Sequence, residues 1–271
     1  MLPKVTLFIP CFVDQLQPQV AVDMVRVLRR IGAELDFPEE QTCCGQPAFN
    51  TGFWEDALPL AERFVRIFGS AEAVVCPSGS CTTMVRCFYP ELLKNSPLRA
   101  DAEALGQRVF EFSEFLVKVA NITDVGASFP HRVTFHDSCH ALRELHIKEG
   151  PRTLLRNVRG LELVEMKYSE ECCGFGGAFS VKMSDISGAM GDTKANNIEA
   201  ANVEYVTACD PSCLTHIEGV LRRKHARTRT IHLASILASV EQTANTHPNR
   251  SKTRSDEGGE PTPTGAQEAL R

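Results

Sequence analysis

The feature that most constrains the fold of this chain is a set of cysteines that occurs twice. Each set has a single cysteine, then a vicinal pair, then a close pair, and the spacing repeats to within a few residues. The first set is Cys11, Cys43, Cys44, Cys76 and Cys81, and the second is Cys139, Cys172, Cys173, Cys209 and Cys213. Repetition of this kind indicates that one structural unit is present twice and that each unit carries its own thiols.

The text around the thiols repeats as well. "CCGQPAF" at residues 43–49 corresponds to "CCGFGGAF" at residues 172–179, and "CPSGSC" corresponds to "CDPSC". Vicinal cysteines rarely bond to each other, because the ring that they would close is strained. Glycines beside such a pair let the backbone approach a bulky inorganic group and point N–H donors at its sulfurs. Both loops are therefore predicted to wrap a metal cluster.

Short apolar runs precede each group of cysteines and predict strands. In the first half these runs are "KVTLFI", "AELDF" and "AEAVV", and in the second half they are "RVTFH", "LELVEM" and "EYVTA". A helix is expected after the first run, because apolar residues recur at helical spacing between Val20 and Ile31. Each half is thus predicted to be a Rossmann-like α/β unit, with its cysteines on loops at the carboxyl ends of the strands, where such sheets bind ligands.

The sequence predicts three segments. Residues 1–128 and 129–240 are the two duplicated halves, which we expect to be related by a pseudo-twofold axis. Residues 241–271 have almost no large apolar side chains and are rich in Pro, Gly, Thr and charges. Such a composition cannot offset the entropy lost on ordering, so a disordered tail is expected there.

Composition excludes several partners and favours one compartment. The net charge is -5 and the basic residues are scattered, which argues against a nucleic-acid surface. No apolar run approaches the ~20 residues that a membrane span needs, and the first residues lack the features of a signal peptide. We therefore expect a cytoplasmic protein. Disulfides are rare there, so its eleven cysteines favour metal binding or redox chemistry.

Thiolate-only sites suit zinc or iron–sulfur clusters. Structural zinc usually takes four ligands from two short Cys hooks, whereas each set here contains one such hook and would leave one thiol unused. A cluster with several iron atoms makes better use of dispersed cysteines. The "GFGG" run lacks the full spacing of a dinucleotide loop, so neither flavin nor NAD is expected.

Four segments carry a resemblance to a known family. "FPEEQTCCGQPAFNTGF", "FHDSCHALREL", "ECCGFGGAFSVK" and "IHLASIL" are similar to segments of the cysteine-rich CCG-domain proteins, and the likeness covers about residues 4 to 240. This family includes the B subunit of heterodisulfide reductase, the glycolate oxidase iron–sulfur subunit and lactate-utilization proteins, and the segments are most similar to the last of these. The resemblance implies an oxidoreductase subunit, independent of NAD, in a complex that oxidises L-lactate to pyruvate.

The resemblance also implies cofactors, ligands and partners. Each five-cysteine set would hold one [4Fe-4S] cluster of the cubane or noncubane type, and the partners would be a ferredoxin-like iron–sulfur protein and a small companion subunit. Neither close cysteine pair has the usual Cys-x-x-Cys spacing, and some CCG domains resemble zinc sites. Two alternatives therefore stay open: a scaffold stabilised by zinc in one or both halves, and a thiol–disulfide reductase like the heterodisulfide enzymes.

Three residues near the sets need separate interpretation. His136 and His140 flank Cys139 in "HDSCH" and are candidates for proton handling during a two-electron oxidation, since a histidine has a suitable pKa. They could instead hydrogen-bond to loop backbone or to sulfur. Cys87 lies at helical spacing from Cys81 and Met84, which favours a buried packing role over a ligand role.

Overall fold

Two parallel four-stranded sheets form the framework of the protein. The computed structural model describes residues 2–240, so the predicted disordered tail lies outside the described residues. The strands of the first sheet are Val5–Leu7 (β1), Leu35–Asp36 (β2), Ala73–Cys76 (β3) and Val109–Glu111 (β4). Those of the second are Arg132–Phe135 (β5), Glu162–Leu163 (β6), Tyr205–Ala208 (β7) and Arg229–His232 (β8). Their orders, β2-β1-β3-β4 and β6-β5-β7-β8, are equivalent. The predicted α/β class and duplication are confirmed.

All six predicted strands are present at their predicted places. The fourth strand of each sheet, β4 or β8, was not predicted from the sequence. These strands have the sequences "VFE" and "RTIH", which are too short and too polar to form an apolar run. Each of these strands forms an edge of its sheet by pairing with β3 or β7. Such pairing between distant segments cannot be predicted from the periodicity of the sequence.

Helices cover the sheets in both halves, and the described part of the first half has two more of them than the second. In the first half they are Cys11–Leu16 (α1), Pro18–Arg30 (α2), Gln46–Asn50 (α3), Trp54–Phe68 (α4), Gly79–Thr83 (α5), Tyr89–Leu92 (α6), Arg99–Gly106 (α7) and Phe112–Glu114 (α8). In the second half they are Cys139–Arg143 (α9), Glu149–Arg156 (α10), Ala178–Lys182 (α11), Ser184–Ala200 (α12), Pro211–Arg223 (α13) and Leu233–Ala238 (α14). Two π-helical turns follow α5 and α8, at Met84–Phe88 and Phe115–Val119. The helix predicted after the first strand is confirmed as α2.

The contacts between the halves are reciprocal, as a pseudo-twofold axis requires. Helix α2 packs against α14, and its counterpart α10 packs against α8. Closer to the cysteines, α1 contacts α13 while α9 contacts α5. A single apolar core runs through this interface and contains side chains of both halves, among them Val25, Phe115, Leu155 and Leu237. The boundary at residues 128 and 129 stays a prediction, because the halves share this core.

Candidate metal centre

The cysteines lie at the carboxyl edges of the two sheets, as predicted. Within that edge, four of them occupy the first turns of helices rather than the loops themselves; these are Cys11 in α1, Cys81 in α5, Cys139 in α9 and Cys213 in α13. Equivalent residues cap two of these helices. The Ser78 hydroxyl accepts from the Cys81 N–H at 3.4 Å, and the Asp210 carboxylate accepts from the Ser212 N–H at 3.2 Å. Each cap fixes the start of a helix that carries a thiol in its first turn.

Eight cysteines from the two halves face one cavity. They are Cys11, Cys43, Cys44 and Cys81 from the first half, and Cys139, Cys172, Cys173 and Cys213 from the second. All eleven cysteines lie within the described residues, and none is paired in a disulfide. The fold thus converts two sets that are far apart in sequence into two facing groups of four thiols.

The remaining predicted ligands, Cys76 and Cys209, are buried but do not line this cavity. The Cys209 Sγ lies 3.6 Å from the Ser113 hydroxyl, and burial and the nearby Glu111 carboxylate raise the pKa of its thiol. Burial and the Cys81 thiol likewise raise the pKa of Cys76. Both fifth thiols therefore lie behind the groups of four.

One thiol in each group is strongly acidic. Hydrogen bonds from Cys11, Cys44 and the Gly45 N–H lower the pKa of Cys43 to about 3. In the second half, hydrogen bonds from Cys139, Cys173 and the Gly174 N–H lower the pKa of Cys172 to about 2. Each glycine N–H lies 3.4 Å from the sulfur to which it donates. The same hydrogen bonds raise the pKa of the donating thiols, which are Cys11, Cys44, Cys139 and Cys173. Each group thus favours one thiolate, the form that binds metal.

The glycine after each vicinal pair is required by the backbone path. Gly45 and Gly174 have φ values of +83° and +93°, a region that favours glycine. A Cβ at Gly174 would also lie only 2.6 Å from the Ser187 backbone oxygen, so this loop packs too closely on α12 for a side chain. The predicted role of these glycines, to bring N–H donors against the thiols, agrees with the observed contacts.

The cavity is bordered by two contacts that the pseudo-twofold axis relates. Phe12, next to Cys11, packs edge-on against Phe175 of the second half, with ring centroids 5.9 Å apart. Their counterparts are His140, next to Cys139, and Gln46 of the first half, whose Nδ1 and Nε2 atoms are 3.5 Å apart. One side of the cavity is therefore apolar, and the opposite side carries a partly exposed histidine.

His136 occupies a different position from His140. It is 0% exposed and does not line the cavity, and neither of its ring nitrogens makes a hydrogen bond of normal geometry among the described residues, although the ring interacts with the Cys213 thiol and helps to lower its pKa. A ring nitrogen and the sulfurs of Cys173 and Cys213 all lie within 4.8 Å of one another. Of the two predicted histidines, only His140 thus faces the space between the thiol groups.

Charged side chains behind the second group of thiols were not predicted. Arg152 of α10 is buried and donates two 2.8 Å hydrogen bonds to the Asp137 carboxylate, and it also contacts Glu165. Burial raises the pKa of Asp137, but the hydrogen bonds from Arg152 outweigh this and the pKa is lowered. Lys194 of α12 is also buried and donates to the Tyr168 and Ser169 carbonyl oxygens. No motif marks these residues, because charges on a helix usually face solvent.

Cys87 lies outside the cavity. It is half-buried and packs against a small apolar cluster formed by Ala141, Leu145 and Ile147. Burial raises the pKa of its thiol. The side chain therefore has the surroundings expected of a packing residue.

Among the described residues, no helix is both long enough and apolar enough to cross a membrane.

Comparison with known proteins places this architecture in a family. The model of a cysteine-rich domain named CCG matches residues 5–86 and again residues 133–218. A solved structure of a hypothetical protein from Helicobacter pylori has a similar fold, with a TM-score of 0.59 and 12% identity over 87% of this chain and 48% of that one. That likeness concerns the fold alone.

Curated relatives match at much higher identity. Lactate utilization protein A of Bacillus pumilus is 46% identical over 237 residues, which is 87% of this chain and 99% of that protein. Lactate utilization protein A 2 of Bacillus cereus (strain 03BB102) is 44% identical over 236 residues, which is 87% and 98%. The chain therefore belongs to the cysteine-rich CCG-domain family and, within it, to the family of lactate utilization protein A.

Proposed function

We propose that this chain is a cytoplasmic iron–sulfur subunit of an L-lactate-oxidising system. The observation that carries the proposal is the pair of thiol groups that face one cavity, four cysteines from each half. The names of its relatives, lactate utilization protein A, supply the substrate class. The unpaired state of all eleven cysteines supports a reducing compartment.

The residues fit iron–sulfur clusters on chemical grounds. Each half offers four converging thiols, one of them strongly acidic, and a glycine N–H that donates to its sulfur. Soft thiolate ligands suit such clusters, and hydrogen bonds to sulfur tune their potentials. When bound, two clusters would each accept and pass on single electrons. We assign Cys11, Cys43, Cys44 and Cys81 to one cluster, and Cys139, Cys172, Cys173 and Cys213 to the other.

Lactate oxidation to pyruvate releases two electrons and two protons, so the system needs a proton acceptor. We assign this role to His140 because it is partly exposed and borders the cavity, whereas His136 is fully buried behind the thiols. Gln46 lies beside its Nδ1 atom and can orient the ring. The family resemblance implies two partners for this system, a ferredoxin-like iron–sulfur protein and a small companion subunit.

The substrate assignment is tested by adding L-lactate to the anaerobic protein together with its two companion subunits. We expect the cluster signals in the electron paramagnetic resonance spectrum to change with L-lactate and not with pyruvate. Clusters that dithionite reduces but L-lactate does not would contradict the lactate assignment. Turnover with a small disulfide instead of lactate would favour a thiol–disulfide reductase.

The assignment of His140 is tested by His140→Ala. Loss of the proton acceptor should slow lactate-dependent reduction about 10²-fold or more, the usual contribution of a general base, while the iron content stays the same. The measurement is the rate of cluster reduction beside iron analysis of the same sample. Unchanged rates of lactate-dependent cluster reduction would show that His140 is not the proton acceptor.

Zinc in the second half is the alternative that one specific observation favours. The triad of His136, Cys173 and Cys213 has the mixed nitrogen and sulfur donors that structural zinc accepts. In that case the second half would stabilise the fold, and any electrons would pass through the first half only. Stoichiometric zinc with half of the expected iron would identify this arrangement.

A further inference from the structure

His136 is a buried polar residue without a well-formed hydrogen bond. Its ring is 0% exposed, neither ring nitrogen makes a hydrogen bond of normal geometry among the described residues, and the ring interacts with the Cys213 thiol. Leaving a buried donor or acceptor unsatisfied destabilises the folded state, so such a side chain calls for an explanation.

The first half shows that the fold does not need a histidine here. The N–H of Phe8 donates to the Val75 carbonyl at 3.0 Å, and the N–H of His136 donates to the Thr207 carbonyl at 2.8 Å, so the two residues occupy equivalent positions after β1 and β5. Phe8 is also 0% exposed and packs edge-on against Phe64, with ring centroids 4.8 Å apart. An apolar ring thus fills this position at no polar cost.

What surrounds His136 points to a ligand. A ring nitrogen and the sulfurs of Cys173 and Cys213 lie within 4.8 Å of one another, and both cysteines face the cavity. Donor atoms on one tetrahedral metal ion lie roughly 3.5 Å apart, given metal–sulfur and metal–nitrogen bonds of about 2.3 and 2.0 Å. Only a small contraction would bring these three atoms onto one ion.

We propose that His136 is a nitrogen ligand of the metal centre in the second half, on the same metal ion as Cys173 or Cys213. The inference rests on the proposed function only in assuming that this half binds a metal. The two centres then differ in kind: the first is bound by sulfur alone, and the second by sulfur and one imidazole.

The test uses the metal-loaded full chain with histidine labelled by ¹⁵N. Pulsed electron paramagnetic resonance of the reduced protein should show a strong nitrogen coupling that changes with the isotope. His136→Phe, which installs the side chain that the first half carries at Phe8, should abolish this coupling. The matched control is His140→Phe, which installs the counterpart of Phe12 and should retain it.

The outcomes separate this inference from the proposed function. Two paramagnetic iron centres without a strong histidine coupling would overturn the inference and leave the function standing. If the second half holds zinc instead, X-ray absorption at the zinc edge decides: one nitrogen among the zinc ligands supports the inference, and sulfur alone overturns it. The wild-type spectrum is decisive by itself, so the result does not depend on whether the variant folds.

Discussion

At the residue scale, the cysteines of each set have unequal surroundings. Cys213 faces the cavity with three other thiols of its half, whereas Cys209 lies behind them against Ser113 and Glu111. Position relative to the cavity therefore distinguishes two cysteines that the sequence pattern treats as equivalent.

This distinction predicts different effects for two serine substitutions. Cys213→Ser should remove the metal of the second half, lowering total iron by about half, because it deletes one of four converging ligands. Cys209→Ser should retain most of that metal. The measurement is iron per chain after anaerobic purification. Equal iron loss in both variants would show that all five thiols act as ligands, as in a noncubane cluster.

At the element scale, the loop from Cys172 to Gly177, which carries two thiols of the second group, packs against α12. Gly174 combines a φ of +93° with a backbone contact that leaves no room for a Cβ. Gly32 offers a matched control, because it has a φ of +81° but nothing within 4 Å of a built Cβ. The two positions separate backbone strain from steric overlap.

We predict that Gly174→Ala destabilises the protein more than Gly32→Ala does. The left-handed conformation should cost about 1–2 kcal/mol at either position, and overpacking should add about 1–3 kcal/mol at Gly174 alone. Guanidinium unfolding of the two variants measures the difference. Equal loss of stability would mean that the loop relaxes away from Ser187.

The elements also show how far sequence reasoning extends. The duplicated cysteine spacing was enough to predict two equivalent halves, and apolar runs located six strands. The strands β4 and β8 were not predicted, because three or four partly polar residues are too few to show the alternation of apolar and polar side chains that indicates a strand. The sequence also did not predict the surroundings of His136 and Asp137. His136 lacks a hydrogen bond of normal geometry, and Asp137 pairs with Arg152. Both features arise from packing between elements that are distant in sequence, so no local pattern indicates them.

At the scale of the whole molecule, the two halves share a topology but enclose their thiols differently. In the first half, aromatic rings of Phe8, Phe64 and Phe68 pack behind the cysteines. Contacts to the CCG glycines place Ala57 of α4 and Ser187 of α12 at equivalent sites, so Phe64 and Lys194 are counterparts two turns further along. The second half thus has a buried lysine where the first has a benzyl ring, and burial lowers the pKa of that lysine.

This asymmetry predicts that the second centre has the higher reduction potential. A buried ammonium group favours an added electron by on the order of 1 kcal/mol at an effective dielectric constant of about 20. Lys194→Met should therefore lower the potential of one centre by roughly tens of millivolts, while Lys167→Met, which removes an exposed charge, should change neither. Potentiometric titration followed by electron paramagnetic resonance measures both centres. A shift in neither centre for Lys194→Met would contradict the account.

The central claim is that the two thiol groups hold two iron–sulfur clusters. The most direct test is anaerobic purification with iron, sulfide and zinc analysis, and electron paramagnetic resonance of the same sample. The account predicts about eight iron atoms per chain, the content of two four-iron clusters, and a paramagnetic signal on reduction. Zinc at both sites with no paramagnetic signal would contradict it and would leave the chain as a structural subunit.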